Sequence, residues 1–302
     1  MIDTRLQRRQ RLTGIALICA TVVFFAGLDA TAKYLNHSMP TVQVVWARYT
    51  GGFLLALVLS NPISRPSLMR TSRPWLQIGR SLLLLGSTAF NFLALRWLQL
   101  DQTTAIMFST PFLVAVLSGP ILGEWVGWRR WAAIVVGFAG VLLVTRPGFG
   151  GIDPAAALTV LSVICYAFYM IATRILARTD SNETTLFYSN LVGAALTSAV
   201  IPLFWSTPHD PLVIALMVLS GALGSVGHYL LIIAHRLAPP AVLAPFLYTQ
   251  LVWAIALSFL VFGELPNRWT LSGMGVVVAS GLYLLHRDRR VGRQTVSGSL
   301  VE

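Results

Sequence analysis

The chain has 302 residues, of which 56% are apolar and only 11% charged, and its formal net charge is +11. An ordinary soluble domain carries about 25% charged residues, so the composition argues against a water-soluble enzyme and points to lipid as the solvent. The basic excess sits between apolar runs, where it marks membrane topology rather than a nucleic-acid surface.

In chain order the apolar runs fall at 13–35, 41–60, 75–95, 102–122, 131–146, 154–176, 184–204, 211–234, 241–262 and 269–286. Each is near the ~20 residues a helix needs to cross ~30 Å of hydrocarbon. The sequence therefore predicts an all-α integral membrane protein of ten transmembrane helices. The first run is too long for a cleaved secretory signal, carries Asp29 and Lys33, and lacks a small-residue cleavage site. Pro111, Pro202 and Pro245 fall inside runs four, seven and nine and predict kinks there.

Arginines set the expected orientation. Arg5, Arg8, Arg9 and Arg11 precede the first run, and Arg287, Arg289, Arg290 and Arg293 follow the last. Arg65, Arg70, Arg73, Arg129, Arg130, Arg174, Arg178 and Arg236 occupy the even-numbered connections, against Arg96, Arg146 and Arg268 in the odd ones. This asymmetry predicts that both termini are cytoplasmic.

The chain also repeats itself. A shift of about 141 residues lays Thr31-Ala32-Lys33 over Ala172-Thr173-Arg174, Gly52 over Gly193 and Gly86 over Gly227; one residue fewer lays Gly123-Glu124 over Gly263-Glu264. Five helices per copy is an odd number, so the second copy enters the membrane inverted. Inverted repeats are a signature of alternating-access transporters, whose substrate site lies near the midplane between the halves.

The stretch Pro111–Gly140, with Gly123-Glu124 and then Gly137-Phe138-Ala139-Gly140-Val141, resembles the EamA repeat of drug/metabolite transporters. So do Leu243–Gln250, Phe262-Gly263-Glu264-Leu265-Pro266 and Ser280-Gly281-Leu282 in the second half, and Asp29-Ala30-Thr31-Ala32-Lys33 near the start. The resemblance covers residues 13 to about 287. It implies a basic segment at 1–12, repeats at 13–147 and 154–287, and a cytoplasmic tail at 288–302. It further implies a carrier of small organic metabolites, often an exporter, in a bacterial inner membrane. The Gly-Glu pairs read best as structural turns: glycine fits the left-handed position past a helix, and the acid lies near the start of the next one.

Counting at 1.5 Å per residue from the turn near Ser38 puts Asp29 and Arg48 about 13–15 Å deep, near the midplane on adjacent helices. The same counting places Asn91, Ser109, Thr110, Tyr169, Ser189, Asn190, His228, Tyr248 and Gln250 at comparable depth. A lone charge at mid-bilayer costs about 2.5–3.5 kcal/mol on insertion scales, so Asp29, Lys33 and Arg48 need partners. Asp29 and Lys33 stand four apart with the acid first, the favourable order. One positive charge is then left over, and a spare guanidinium suits a carboxylate, which it grips with two parallel hydrogen bonds. The other arrangement sends Lys33 to the interface and leaves Arg48 to neutralise Asp29. The expected substrate-binding set is Asp29, Lys33, Arg48, Asn91, Thr110, Tyr169, Asn190, His228, Tyr248 and Gln250.

No catalytic role, cofactor or metal site is expected. The only lysine, Lys33, is in no P-loop, and Cys19 and Cys165 lack metal-ligand spacing. The function expected is export of a carboxylate-bearing metabolite, such as an amino acid or an opine-like metallophore. The alternative is uptake of a cofactor such as riboflavin, and an intramembrane enzyme is a minor third. The expected partners are a small molecule and the bilayer. The internal repeat makes one chain sufficient and leaves a homodimer open.

Overall fold

The computed structural model describes residues 2–60, 66–123, 125, 127–145, 154–238 and 240–298. Among these every regular element is helical: α1 (Ile2–Leu35), α2 (Thr41–Ser60), α3 (Pro74–Ala94), α4 (Leu100–Met107), α5 (Thr110–Leu122), α6 (Trp128–Thr145), α7 (Pro154–Leu176), α8 (Asn182–Val200), α9 (Pro211–Leu237), α10 (Pro240–Leu247), α11 (Gln250–Phe262) and α12 (Arg268–Gly298), with short 3-10 turns at Pro66–Met69 and Ile201–Leu203. Glu124, Arg65 and Arg146 lie outside the described residues.

Helix ends follow from local chemistry. Pro74 and Pro211 occupy first-turn positions, where the missing N–H costs nothing. Ser181 and Asp210 cap α8 and α9, accepting from the amides of Thr184 and Leu212. Gly123 and Gly263 end α5 and α11 at φ 75° and 69°, the left-handed position expected of both turns. Inside the helices, hydroxyls that have no water turn back on the preceding turn: Thr21 donates to Leu17, Thr31 to Gly27, Ser81 to Gln77 and Thr197 to Gly193.

Runs four and nine are each broken. The fourth pauses at Phe108-Ser109, where Pro111 supplies no N–H and Thr110 donates its hydroxyl to the Met107 carbonyl at 2.6 Å. The ninth pauses at Tyr248-Thr249, with Thr249 donating to Phe246 at 2.6 Å. The two breaks face each other, the Phe108 and Tyr248 rings lying 4.8 Å apart.

Polar and charged side chains are enclosed within the apolar core, while many large apolar side chains face outward. Arg80 is 3% exposed and Asp101 0%, whereas Val58 is 78% and Leu260 75% exposed. That distribution suits a hydrocarbon surround. Among the described residues, seven helical stretches are long and apolar enough to cross a membrane: Arg8–Leu35, Thr41–Val58, Leu100–Leu122, Pro154–Leu176, Asn182–Leu203, Pro211–Leu237 and Pro245–Phe262. The expected third, fifth and tenth runs are not among them. Run three carries a buried polar stripe along α3, including Gln77, Arg80, Ser81, Ser87, Thr88 and Asn91.

Packing is extensive between the first and second halves of the chain: α1 with α9, α3 with α7, α2 with α8 and α9, and α6 with α12. Glycines permit the closest of these. A Cβ on Gly221 would lie 2.7 Å from the Gly51 Cα, and one on Gly273 would lie 2.6 Å from the Gly140 carbonyl oxygen. One end of the bundle gathers the segments around His37, Leu98, Ser206 and Glu264, where Gln43 exchanges hydrogen bonds with the Ser206 backbone. The other gathers Thr71, Asp180 and Arg236, where Thr71 and Gln77 donate to Asp180 and Arg236 pairs with Glu183. Partial burial there works against the charged form of Asp180. The hydrogen bonds from Thr71, Gln77 and the Ser72 amide outweigh it and hold the carboxyl below the usual carboxylate range.

Candidate functional site

The polar interior resolves into three groups. The central one joins α1, α2 and α3. Asn91 donates to the Asp29 carboxylate at 3.3 Å, and Arg48 donates through Nη1 to Thr88 at 3.0 Å. Thr88 spends its own proton on the Leu84 carbonyl, so the Tyr49 hydroxyl, 3.1 Å away, is the donor in that contact. The Arg48 guanidinium lies 4.5 Å from the Tyr49 ring centroid. Asp29 and Arg48 act on one another electrostatically, yet the ion pairs among the described residues do not include them.

Several groups here lack partners. Arg48 Nε, Asn91 Oδ1 and Asn190 Nδ2 are enclosed and make no hydrogen bond. Asp29, Tyr166 and His228 are half-buried in the same part of the bundle, within the field of Arg48. Asn190 on α8 reaches this region beside Gly52: a Cβ on Gly52 would meet Ser225 Oγ at 2.6 Å and Asn190 Oδ1 at 3.0 Å. His228 on α9 packs edge-on against Phe25 at 5.0 Å, within the field of Arg48 and Arg80.

Tyr169, also expected at the site, belongs to a network the sequence reading missed. Arg80 on α3 donates to Thr173 at 2.7 Å, Ser189 at 2.9 Å, the Tyr169 hydroxyl at 2.9 Å and the Thr185 carbonyl at 3.0 Å. Its guanidinium lies 4.5 Å from the Tyr169 ring, which stacks on Tyr166 at 5.3 Å. Arg80 was concealed because basic residues were assigned to the connections. The spacing of Gln77, Arg80, Ser81, Leu84, Ser87, Thr88 and Asn91 follows a helical period and marks one face. Read that way, the sequence contains Arg80.

The second group lies at the helix breaks. Thr110 and Gln250 start α5 and α11, and the Tyr248 ring packs, tilted, against Phe108. The Thr110 hydroxyl is committed to the backbone. Tyr248 points toward Gly281 on α12, where a Cβ would collide with its hydroxyl.

Lys33 does not pair with Asp29 but turns to the end of the bundle, where it is 4% exposed, donates to the Leu98 carbonyl at 3.1 Å and pairs with Glu264 at 2.5 Å. Glu264 is therefore more than a turn residue, because the left-handed Gly263 presents it to a buried ammonium. Asp101, an acid that the sequence analysis did not single out, is fully enclosed at the start of α4. An apolar groove of about 390 Å³ between α6 and α12, lined by Trp128, Val136, Tyr283 and neighbours, lies on the outside and gathers none of these groups.

Comparison with known proteins accounts for the doubled chain. The model of the EamA-like transporter family matches twice, at residues 12–146 and 153–285. A Rickettsia conorii protein named S-adenosylmethionine uptake transporter is 28% identical over 92% of this chain and 94% of its own. A Rhizobium johnstonii riboflavin transporter is 26% identical over 90% of each chain. The Pseudomonas aeruginosa pseudopaline exporter CntI is 23% identical over 92% of this chain and 97% of its own. A solved crystal structure shares the fold, with a TM-score of 0.64 at 18% identity over 91% of this chain and 97% of that one. The chain belongs to the EamA-like transporter family, and its apolar helices suit a multi-pass membrane protein.

Proposed function

We propose that this protein is an alternating-access carrier of a small amino-acid-derived metabolite, held by its carboxylate at Arg48 and by its ammonium at Asp29. One observation carries the reading: Arg48 is buried with its Nε unpartnered, and the half-buried Asp29, held by Asn91 and within its field, is not ion-paired with it. A zwitterion gives each an ionic partner at once. Lys33, engaged with Glu264, leaves Arg48 as the cation available to the carboxylate. Tyr166, stacked on Tyr169, offers a ring face to an attached aromatic group.

S-adenosylmethionine has this chemistry (carboxylate, ammonium and an aromatic base), and the similarity to the Rickettsia protein makes it the first substrate to test. A carrier cycle runs in either sense down its gradient, so uptake and export use the same site. The proposed frame is ten crossings in two inverted five-helix halves, with both termini cytoplasmic. Two features support it: the family model matches twice, and contacts such as α1 with α9 and α3 with α7 exchange when the halves are interchanged.

The test is counterflow in proteoliposomes with labelled S-adenosylmethionine, amino acids, an opine-type carboxylate and riboflavin. Saturable exchange of the zwitterion is expected. Arg48→Ala should weaken apparent affinity about 10- to 150-fold, the equivalent of a charge-assisted hydrogen bond or two. Zwitterion exchange indifferent to Arg48→Ala would overturn the assignment. Riboflavin is the second reading, favoured by the Rhizobium relative and by the unpaired amide atoms of Asn91 and Asn190. A flavin has no carboxylate, so its exchange should survive Arg48→Ala.

A further inference from the structure

The Lys33 cluster is a site in its own right. Lys33 ends α1 in the first half of the chain, and Glu264 follows α11 in the second. Ser258 donates to the same Glu264 oxygen at 3.3 Å, while the Glu264 amide donates to the Ser258 carbonyl at 3.1 Å. The Lys33 ammonium lies 4.9 Å from the Phe262 ring. Against this pair stands Asp101, with 0% exposure and neither carboxylate oxygen hydrogen-bonded. The amides of Asp101 and Gln102 lie beside it, and its electrostatic neighbours are Glu264 and Lys33.

The charges do not balance. Two carboxylates share one ammonium, and two of that ammonium's three donors already serve Leu98 and Glu264. A buried carboxylate with no hydrogen bond and half a counter-charge is unfavourable as an anion. A metal ion is a poor remedy: no group of three metal-ligating side chains occurs among the described residues.

We infer that Asp101, enclosed without a hydrogen-bond partner beside the Lys33–Glu264 pair, is a proton-binding site that latches this end of the carrier shut. With the proton on Asp101, Lys33 belongs wholly to Glu264 and ties α1 to the segment after α11. When the two halves part, Lys33 is withdrawn and Asp101 meets water and releases its proton. Opening is thereby linked to proton movement. The transport consequence rests on the carrier reading; the proton site itself does not.

The surroundings leave few competitors. On the elements packed against α4, the charged groups that act on Asp101 are Lys33 from α1 and Glu264 beyond α11. His37, Arg96 and Arg268 at the same end are exposed. The titratable residues of α7 (Cys165, Tyr166, Tyr169 and Arg174) begin two turns or more into that helix, and Arg129 of α6 starts its helix at the far end.

Infrared spectroscopy of the purified protein at neutral pH reads the proton directly, without a substrate. The wild type should show the C=O band of a protonated carboxyl, shifted in heavy water. The band should persist in Asp29→Asn, which removes the other deep acid. In the Asp29→Asn background the band should vanish on adding the isosteric Asp101→Asn, and also on adding Glu264→Gln, where Lys33 is free to neutralise Asp101. Absence of the band from Asp29→Asn, or its survival in Asp29→Asn with Asp101→Asn, would overturn the inference. Wild-type counterflow is measured separately, so a failed proton site and a failed carrier assignment give different results.

Discussion

Arg48 and Arg80 are both enclosed guanidinium groups, and they differ in what is left over. Arg80 has a hydrogen bond at Nε and at both terminal nitrogens, to Thr173, Thr185, Ser189 and Tyr169; Arg48 has one, to Thr88, and its Nε is bare. A saturated cation is a structural tie, whereas an unsaturated one is a binding group in waiting. Arg80→Ala is therefore expected to destabilise the protein by about 2–4 kcal/mol, since hydrogen bonds to a charged group contribute about 1.5–3 kcal/mol each before the relief of desolvation is subtracted. Thermal melting in detergent checks this, with Arg80→Lys intermediate because a point charge cannot span four acceptors held by α7 and α8. A melting temperature equal to that of the wild type would mean that the network contributes no net stability. The sequence conveyed Asp29 and Arg48 through their depth alone. It concealed the partner of Lys33, because Glu264 is 231 residues away and reaches the ammonium only once α11 packs beside α1. Asp101 was hidden for a different reason: an acid in the first turn of a helix is ordinarily a solvated favourable charge, and only tertiary packing shows it sealed.

At the level of elements, small residues determine which helices touch. Gly51 on α2 and Gly221 on α9 meet backbone to backbone, and a Cβ on Gly221 would also lie 2.8 Å from the Gly51 carbonyl carbon. The obstacle is main chain, which cannot rotate aside as a side chain can. Gly221→Ala is expected to cost about 1–3 kcal/mol, the usual range for overpacking, and to loosen α9 from the Gly52–Asn190–Ser225 contact beside it. A lower melting temperature together with weaker substrate affinity checks this; Ala at Gly79, where a Cβ meets nothing within 4 Å, is the matched control. The sequence carried the glycines and the breaks as isolated signals. Gly123 and Gly263 were legible because a glycine followed by an acid between two apolar runs has one good conformation. The break at Tyr248-Thr249 was not, since Pro245 suggests an earlier kink and the pause falls three residues later, where its counterpart Phe108-Ser109 also pauses.

For the whole molecule, the decisive quantity is the number of crossings. Seven stretches satisfy length and apolarity, and seven crossings would put the two termini on opposite sides of the membrane. Ten crossings put them on the same side. The three helices in dispute are α3, α6 and α12, and each turns an apolar face outward: Leu82 is 42% exposed on α3, Val135 64% on α6 and Leu271 50% on α12. An outward apolar stripe beside buried polar side chains such as Arg80 on α3 and Ser280 on α12 is what a helix needs when lipid lies on one side and a polar interior on the other. An average over the whole segment obscures this division, because buried arginine and asparagine count against hydropathy although they never meet lipid. Ten crossings are thus expected on physical grounds, with the arginine-rich connections facing the cytoplasm. Single cysteines at the two chain ends, in a background lacking Cys19 and Cys165, should both be shielded from a membrane-impermeant thiol reagent in intact cells and both labelled after lysis. A cysteine at Ser38, on the opposite connection, should be labelled in intact cells. Protection of one terminus and labelling of the other would require an odd number of crossings, and the two halves could then no longer be inverted copies enclosing a shared central site.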